Sequence, residues 1–458
     1  MLDTVSQLRP PAPAPQPQAL GPLALLRVLA RNPLEAWTEA HFTEPVVMGG
    51  LPLAQVAVAS EPAAIRRVLF DNAQNYRKDW FQRRVLSAGL TGGLLTAEGP
   101  QWRMQRRALA PLFARRIVMS HARAMFGAAQ ALVERLAACE GQTVDMAIEV
   151  TRVTLDVLER TIFSDGFGAD PEQMRRSMKT YFEAVGRLDL FDVLGIHRIV
   201  PPFARSEVQA DLRFFEQAVA GIVAARRSRL AQKDYAPPDD LLTHLLTARD
   251  PDTGVAFTEA EVAANVLTFI AAGHETTANC VAWSLYLLSQ SPEWCERVRA
   301  EAEAGLDAEP STAADRLVQT RAVIDEANRL YPPIGAISRV VLAPDELAGR
   351  PIRKGTLVVI APYVLHRHRR LWSDPDRFDP SRFIGDAGKR IDRFAYLPFG
   401  VGPRICIGMP FALQEAAIVI ASVLRRFHLM LAPGHAVWPM QRVTLRPHGG
   451  LPMIVARR

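Results

Sequence analysis

The sequence predicts a mostly helical α+β fold. Segments with helical periodicity fill the middle of the chain, whereas strand signals come from its two ends. A small sheet must therefore pair segments that lie far apart in the sequence. No repeated strand–helix–strand unit is present, which argues against an α/β fold.

Helical periodicity is strongest in the stretches 101–126, 128–138, 205–229 and 259–290, and a further helix is expected over 407–424. A β-hairpin is predicted over 45–60, turning at Gly49-Gly50. Further strands are predicted at 336–342, 356–361, 442–445 and 452–456. No linker or internal repeat separates these elements.

Composition excludes several classes of protein. Of 458 residues, 49% are hydrophobic, which is enough for a large core, and the net charge of +6 comes without the aromatic-interleaved basic cluster of a nucleic-acid-binding protein. The cysteines at 139, 280, 295 and 406 are too dispersed for a zinc site or a disulfide framework, and they suit a reducing cytoplasm.

The N-terminus predicts a disordered, proline-rich tail over 1–34, followed by a single domain over 35–458. The tail lacks the basic region and apolar stretch of a signal peptide. The apolar run that follows it is interrupted by Arg27 and is far shorter than the ~20 residues of a spanning helix. We therefore expect a soluble, cytoplasmic, monomeric protein without a transmembrane segment.

A glycine-rich turn near the C-terminus carries the strongest chemical signal. Residues 399–408 read FGVGPRICIG, which delivers Cys406 to the start of the predicted helix 407–424. The free N–H groups and positive dipole of a helix start stabilise a thiolate, so a lowered cysteine pKa is expected. A thiolate in this position can ligate iron. A dinucleotide-binding loop is excluded because its third glycine would have to stand where Ile405 is.

The predicted helix 259–290 has an unusual centre. Thr258 and Glu261 form a capping box at its start, and its flanks are apolar nearly all round, so it should cross the core. Its middle, residues 271–277, reads AAGHETT and places polar groups where packing would favour leucine. A zinc-protease helix is excluded because Ala278 stands where the second histidine would be.

Together these segments resemble the cytochrome P450 family. FGVGPRICIG is similar to the family's haem-binding signature, and AAGHETT is similar to its oxygen-activation motif. Glu326 and Arg329 match a Glu-x-x-Arg motif, and Trp102 and Arg106 match a Trp-x-x-x-Arg segment. The resemblance covers roughly residue 35 to the C-terminus and implies a cytochrome P450 fold, with a large helical region and a small β-rich region around a buried haem.

The resemblance also implies the roles of individual residues. Haem b would contact Cys406, as the axial iron ligand, and Trp102, Arg106, Arg339, Arg404, His366, Phe399, Gly400, Gly408, Ala272 and Gly273. For His366 a purely structural role is the stronger alternative. Thr276 and Glu275 would be catalytic, supplying protons during oxygen activation, and Gly273 would open room over the iron. Glu326, Arg329 and Arg377 would form a buried ion-pair triad.

The substrate pocket implied by the resemblance is largely apolar. Its expected lining is Leu94, Leu95, Val266, Ile270, Ala272, Ile334, Ala336, Ile337, Val443 and Thr444. An apolar lining indicates an apolar substrate of the terpenoid, steroid or fatty acyl class.

The expected reaction is NAD(P)H-driven insertion of one atom of O2 into a C–H bond. Electrons would come from a separate acidic ferredoxin or flavodoxin with its reductase, docking near Arg103, Arg107, Arg115 and Arg116. One alternative is a peroxide-using or rearranging haem-thiolate enzyme, but such enzymes usually lose the acid–alcohol pair that Glu275 and Thr276 form here. The second alternative is a non-enzymatic haem sensor.

Overall fold

The computed structural model describes residues 8–51, 54–79, 82, 92–164, 166, 170, 173, 176–177, 206–306 and 310–458. In these ranges the helices before the long central one are α1 Pro22–Arg31, α2 Pro62–Arg66, α3 Gly99–Leu109, α4 Arg115–Ser120, α5 Ala122–Ala138, α6 Met146–Leu158, α7 Ser206–Leu230 and α8 Leu241–Thr247. The central and later helices are α9 Glu259–Ser289, α10 Pro292–Gly305, α11 Pro310–Arg316, α12 Val318–Leu330, α13 Pro362–Leu365, α14 Gly385–Lys389 and α15 Met409–Arg426.

The strands are short and form small sheets. They are β1 Val46–Leu51, β2 Ala54–Ala59, β3 Tyr76–Arg77, β4 Thr143–Asp145, β5 Ile337–Val341, β6 Asp345–Leu347, β7 Arg350–Ile352, β8 Leu357–Ile360, β9 Phe427–Leu431, β10 Pro439–Gln441, β11 Leu445–Pro447 and β12 Pro452–Arg457. The largest sheet has the order β1–β2–β8–β5–β3, with β2 parallel to β8, and another has the order β4–β12–β9. Strands from the two ends of the chain therefore pair, and the predicted mostly helical α+β class is confirmed.

Three local predictions differ from the structure. The stretch 101–126 is not one helix, because α3 ends at Leu109 and a 3-10 turn containing Pro111 leads into α4 and α5. The hairpin does not turn at Gly49-Gly50, since the two strands pair as far as Leu51 with Ala54, next to a proline that cannot donate to a ladder. Of the stretch 442–445, residues 442–444 are the bend that joins β10 to β11, and the strand begins only at Leu445.

The central helix α9 organises the core. Its predicted capping box is present, with Thr258 Oγ1 accepting from the Glu261 N–H at 3.3 Å and a Glu261 carboxylate oxygen accepting from the Thr258 N–H at 3.0 Å. The first half of α9 packs in a hydrophobic cluster with α3, α6, α7 and α8, and its second half packs with α5, α6, α12 and α15. The helix thus passes between the elements that carry the predicted site residues.

The N-terminal segment 8–34, predicted to belong to a disordered tail, is packed against the domain. The Tyr331 hydroxyl donates to the Pro11 carbonyl at 2.7 Å, and the Phe378 N–H donates to the Leu8 carbonyl at 2.9 Å. Extended proline-rich backbone has no internal hydrogen bonds, so its carbonyls are free to accept from the domain surface. The disordered-tail prediction is corrected for these residues.

No helix in the described ranges is long and apolar enough to cross a bilayer.

Candidate active site

Two glycines give the cysteine loop its shape. Gly400 and Gly402 both have positive φ, 69° and 77°, a region that favours glycine. At Gly402 a side chain is also excluded by space, because a Cβ there would lie 2.1 Å from the Leu69 carbonyl oxygen. The Cys406 N–H donates to the Phe399 carbonyl at 2.9 Å and closes the loop.

The Cys406 thiol lies beside the start of α15, as predicted. The backbone N–H groups of Gly408 and Met409 and the positive charge of Arg106 all favour its thiolate. Part of the Cys406 surface faces open space, but the thiol is otherwise surrounded by protein. This partial desolvation outweighs the favourable groups, so the pKa of the Cys406 thiol is raised, against the expected direction. A bound metal cation is what deprotonates a coordinating thiol, so this environment does not oppose metal ligation.

The centre of α9 is less buried than the rest of the helix. Ala272 is exposed, and Ala271, Gly273, Glu275 and Thr276 are half-buried, whereas the turns on either side are mostly buried. Exposed surface in the middle of a core helix indicates a cleft there, and Cys406 also keeps exposed surface. The Thr276 hydroxyl donates to the Ala272 carbonyl at 2.7 Å, one helical turn back. Glu275 lies 3.9 Å from the Arg446 guanidinium on β11, so its carboxylate has a cationic neighbour.

Gly273 faces a different way from the prediction. A Cβ on Gly273 would lie 3.4 Å from the Leu158 side chain on α6. The glycine therefore allows α6 and α9 to pack closely, and the residue that borders the cleft is its neighbour Ala272. The expectation that Gly273 opens room over the iron is corrected accordingly.

A cluster of cations lies at the edge of the site. The Arg404 guanidinium stacks on Trp102 at 4.1 Å from the ring centre and pairs with Glu98 at 2.7 Å. Burial is the main cause of a lowered pKa at Arg339 and at Arg404, where the pKa falls to about 10. Arg106, beside Cys406, also has a pKa lowered by burial.

Sequence reasoning missed Lys78, which belongs to this cluster. Its side chain is buried, and its ammonium donates to the Leu95 carbonyl and lies 3.9 Å from Glu98. Burial, and then the charges of Arg404 and Arg339, lower the pKa of Lys78 to about 7. A lone lysine beyond β3 carries no pattern that distinguishes it from a surface lysine.

The residues present fit haem b. A thiol at a helix start supplies a soft axial ligand for iron. The buried Lys78 and the half-buried Arg339 and Arg404 lie so close together that neighbouring cations lower the pKa of Lys78 and of Arg404, and such a cluster suits the two carboxylates of a haem. The exposed Ala272 in the middle of a buried helix leaves a face of α9 open to the cleft.

Comparison with known proteins agrees with this geometry. The family model for cytochrome P450 matches residues 10–451. The chain belongs to the cytochrome P450 family.

Two relatives and one solved structure illustrate the similarity. The cyclooctat-9-en-7-ol 5-monooxygenase of Streptomyces melanosporofaciens is 31% identical over 89% of this chain and 87% of its own. The putative cytochrome P450 132 of Mycobacterium tuberculosis is 35% identical over 87% of each chain. A crystal structure of the cytochrome P450 CYP102L1 superposes with a TM-score of 0.82 at 25% identity and covers 98% of this chain and 100% of its own. The predicted fold and monooxygenase class are confirmed.

The P450 ion-pair motif is built as predicted except for its third member. Arg329 and Glu326 are fully buried and form a bidentate pair with distances of 2.6 and 2.8 Å. The third charged group is Arg382, 3.6 Å from Glu326. The Arg377 side chain pairs with Asp379 instead, and only its backbone carbonyl accepts from Arg329, at 3.0 Å.

His366 belongs to the region of the Glu326–Arg329 ion pair and not to the cluster of cations beside Trp102. It is fully buried, its Nε2 accepts from the Leu397 N–H at 2.8 Å, and its carbonyl accepts from Arg329. Burial and the charge of Arg329 lower the pKa of His366 to about 3, so the ring is neutral. Its ring nitrogen Nε2 and its backbone carbonyl are both used inside the ion-pair region, by Leu397 and Arg329, so the structural alternative is favoured.

The predicted pocket residues differ in how deeply they are buried. Leu94, Val266, Ile270 and the half-buried Val443 belong to one hydrophobic cluster, whereas Ala272, Ile334 and Ala336 are exposed. Leu95 and Ile337 are half-buried. Thr444 is buried and its hydroxyl accepts from the Asn279 amide at 3.1 Å, so it anchors the β10–β11 turn to α9.

The predicted docking arginines are only partly free. Arg107 forms a bidentate pair with the buried carboxylate of Asp250, at 2.7 and 2.9 Å, which ties α3 to the segment preceding α9. Arg115 pairs with Asp315 at 2.6 Å. Arg103 and Arg116 are exposed. The expected role of Arg107 in docking is therefore set aside.

Proposed function

We propose that this cytochrome P450 monooxygenase inserts one atom of O2 into a C–H bond of an apolar small molecule of the terpenoid, steroid or fatty acyl class. The observation that carries this proposal is the position of Ala272, exposed at the half-buried centre of α9 and next to the hydrophobic cluster that contains Leu94, Ile270 and Val443. Such a lining favours apolar ligands. The name of one relative, cyclooctat-9-en-7-ol 5-monooxygenase, gives an unsaturated alcohol as its substrate.

The residues around the cleft have separable tasks. When bound, haem supplies the oxygen-activating iron. Cys406 would hold the iron, and Lys78, Arg339 and Arg404 would hold the two propionates by charge and hydrogen bonds. Arg329 of the Glu326–Arg329 pair binds the carbonyls of His366, Pro375 and Arg377. His366 in turn accepts from the Leu397 N–H, in the loop that precedes Cys406, so the pair supports that loop through His366.

Thr276 and Glu275 are proposed to deliver protons. The Thr276 hydroxyl donates to Ala272, which leaves its oxygen lone pairs able to accept from a group in the cleft. To donate a proton into the cleft, the hydroxyl must first rotate away from that carbonyl. The Glu275 carboxylate lies 3.9 Å from the Arg446 guanidinium and is half-buried, so it could pass a proton from solvent toward the cleft.

Electrons are proposed to come from NAD(P)H through a separate acidic ferredoxin or flavodoxin. The exposed positive charges of Arg103 and Arg116 support this proposal because opposite charges speed the encounter of two proteins. The cytoplasmic, monomeric state remains a prediction.

A compound screen tests this function directly. Purified haem-loaded protein is titrated with terpenoids, steroids and fatty acids, and displacement of the distal water is followed by its spectral shift. Hits are incubated with NAD(P)H, reductase and ferredoxin, and separately with hydrogen peroxide. The proposal expects hydroxylated product that depends on ferredoxin and O2. Turnover by peroxide alone would favour the peroxide-using alternative, and binding without product would favour the sensor.

A further inference from the structure

A buried pair of amides joins residues 92–97, the segment that precedes α3, to two helices. Asn265 on α9 and Gln105 on α3 are both 0% exposed. The Leu94 N–H donates to the Asn265 side-chain oxygen at 2.8 Å, and the Gln105 amide nitrogen donates to the Gly92 carbonyl at 2.7 Å. The two amides meet, with Asn265 Nδ2 donating to Gln105 Oε1 at 3.4 Å.

The hydrogen bonds of this amide clamp, Asn265 with Gln105, run in one consistent direction. Because the Leu94 N–H can only donate, the oxygen of Asn265 must face it, and its nitrogen must face Gln105. The oxygen of Gln105 then accepts, which leaves its nitrogen to donate to the Gly92 carbonyl. Asn265 Nδ2 also donates to the Glu261 carbonyl at 2.8 Å. Flipping either amide would set donor against donor or acceptor against acceptor.

The loop held by the clamp lies directly on α9. A Cβ on Gly93 would be 2.4 Å from the Thr268 hydroxyl and 2.6 Å from the Ala264 carbonyl, so the loop backbone touches the helix backbone. The next residue, Leu94, is buried in the cluster that contains Ile270. Any outward movement of the loop therefore withdraws Leu94 from the wall beside Ala272.

We propose that Asn265 and Gln105 are positioning residues that hold Leu94 against α9 and so set the size of ligand that the substrate pocket accepts. This inference rests on the proposed function. The clamp acts through Leu94, because the polar atoms of the two amides are used by the loop, by each other and by the Glu261 carbonyl.

Loss of one amide should release the whole loop. In Asn265→Leu or Gln105→Leu, the remaining amide and one loop backbone group are buried without a partner, and an unsatisfied buried group is costly. The loop can regain its hydrogen bonds only by moving toward solvent. Because both amides serve one ring of hydrogen bonds, the double variant should behave like either single variant and not like their sum.

Hydrogen exchange tests the clamp without using activity. Peptides that span residues 92–97 are followed in the wild type, Asn265→Leu, Gln105→Leu and the double variant. We expect exchange at Leu94 to be faster by about tenfold or more in all three variants, the effect of about 1.4 kcal/mol of lost hydrogen bonding. Unchanged exchange in the variants would overturn the clamp.

Ligand size selectivity tests the effect of the clamp on the substrate pocket. Imidazole and 4-phenylimidazole both bind haem iron through nitrogen, so their Kd values are measured from the same spectral shift. The ratio of the two Kd values should change in favour of the larger ligand by about fivefold in each clamp variant, the effect of about one hydrogen bond. Gly93→Ala keeps both amides but pushes the loop from α9, so it should shift the ratio in the same direction.

A matched control separates positioning from general loss of stability. Gln414 on α15 is another buried amide, whose nitrogen donates to the Val118 carbonyl at 2.8 Å and which makes no hydrogen bond with residues 92–97. Gln414→Leu should lower stability without moving the ratio or the exchange at Leu94. An equal shift in this control, or an unchanged ratio in the clamp variants and Gly93→Ala, would contradict the proposal. If the wild type binds no haem, the proposed function fails, whereas the exchange experiment still decides on the clamp.

Discussion

Replacing Arg329 by lysine tests how the buried ion pair holds the domain together. Arg329 makes two bonds to Glu326 and donates to the carbonyls of His366, Pro375 and Arg377 at 2.8, 2.6 and 3.0 Å. A lysine keeps the charge, so Glu326 does not become a buried unpaired carboxylate. Its ammonium has three donors for the five hydrogen bonds that Arg329 makes and cannot reproduce the planar fork, so at least two of these bonds are lost.

The expected loss of stability follows from that geometry. At about 1 kcal/mol for each lost hydrogen bond, Arg329→Lys should lower the free energy of unfolding by about 2 kcal/mol. Urea unfolding followed by circular dichroism measures the change. Arg297→Lys is the matched control, because Arg297 pairs with Glu293 at 2.7 Å on the surface and should change stability by less than about 0.5 kcal/mol. A change below about 1 kcal/mol at Arg329 would refute the reasoning.

Other residues give shorter predictions. Thr276→Ala should bind haem and ligand normally but release more hydrogen peroxide per NAD(P)H consumed, and an unchanged ratio would remove Thr276 from proton delivery. Glu415 is fully buried, and burial raises its pKa well above the ordinary value. Above about pH 4.3 the Glu415 carboxyl is therefore still protonated in the folded protein but ionised in the unfolded chain. The free energy of unfolding consequently falls as pH rises beyond that value. Glu415→Gln should remove this fall, so its stability relative to the wild type should increase with pH, and a constant difference would contradict the assignment. Lys78→Met should speed haem loss to an excess of apomyoglobin, whereas the exposed Lys354→Met should not.

Much of the site was predictable because its chemistry depends on local sequence. The turn before Cys406 needs glycine at particular backbone angles, and the polar centre of α9 interrupts an apolar helix. Both features are therefore visible as patterns in the sequence. No sequence pattern distinguishes Arg377 from Arg382 as the third member of the ion-pair motif. The two arginines are five residues apart, and only the folded loop shows which of them reaches Glu326.

Residues that reach the site from distant segments could not be predicted either, because no sequence pattern marks them. Lys78 becomes part of the cationic cluster through the fold, which brings it near Arg404 and buries it. Asn265 and Gln105 are ordinary helix residues until their helices meet. The α+β class followed from where the helix and strand signals lie, whereas the packing of residues 8–34 depends on acceptors offered to Tyr331 and Phe378 from far along the chain.

The central claim is that Cys406 is the thiolate ligand of a haem iron. The direct measurement is the absorption spectrum of the reduced protein with carbon monoxide, recorded for the wild type, Cys406→His and Cys406→Ala. Cys280→Ala provides the control, because this buried cysteine has a pKa raised to about 12 and is not part of the loop. We predict the strongly red-shifted Soret band of thiolate ligation in the wild type and in Cys280→Ala, and its replacement by the imidazole-type band in Cys406→His. A wild-type spectrum that survives unchanged in Cys406→Ala would contradict the claim.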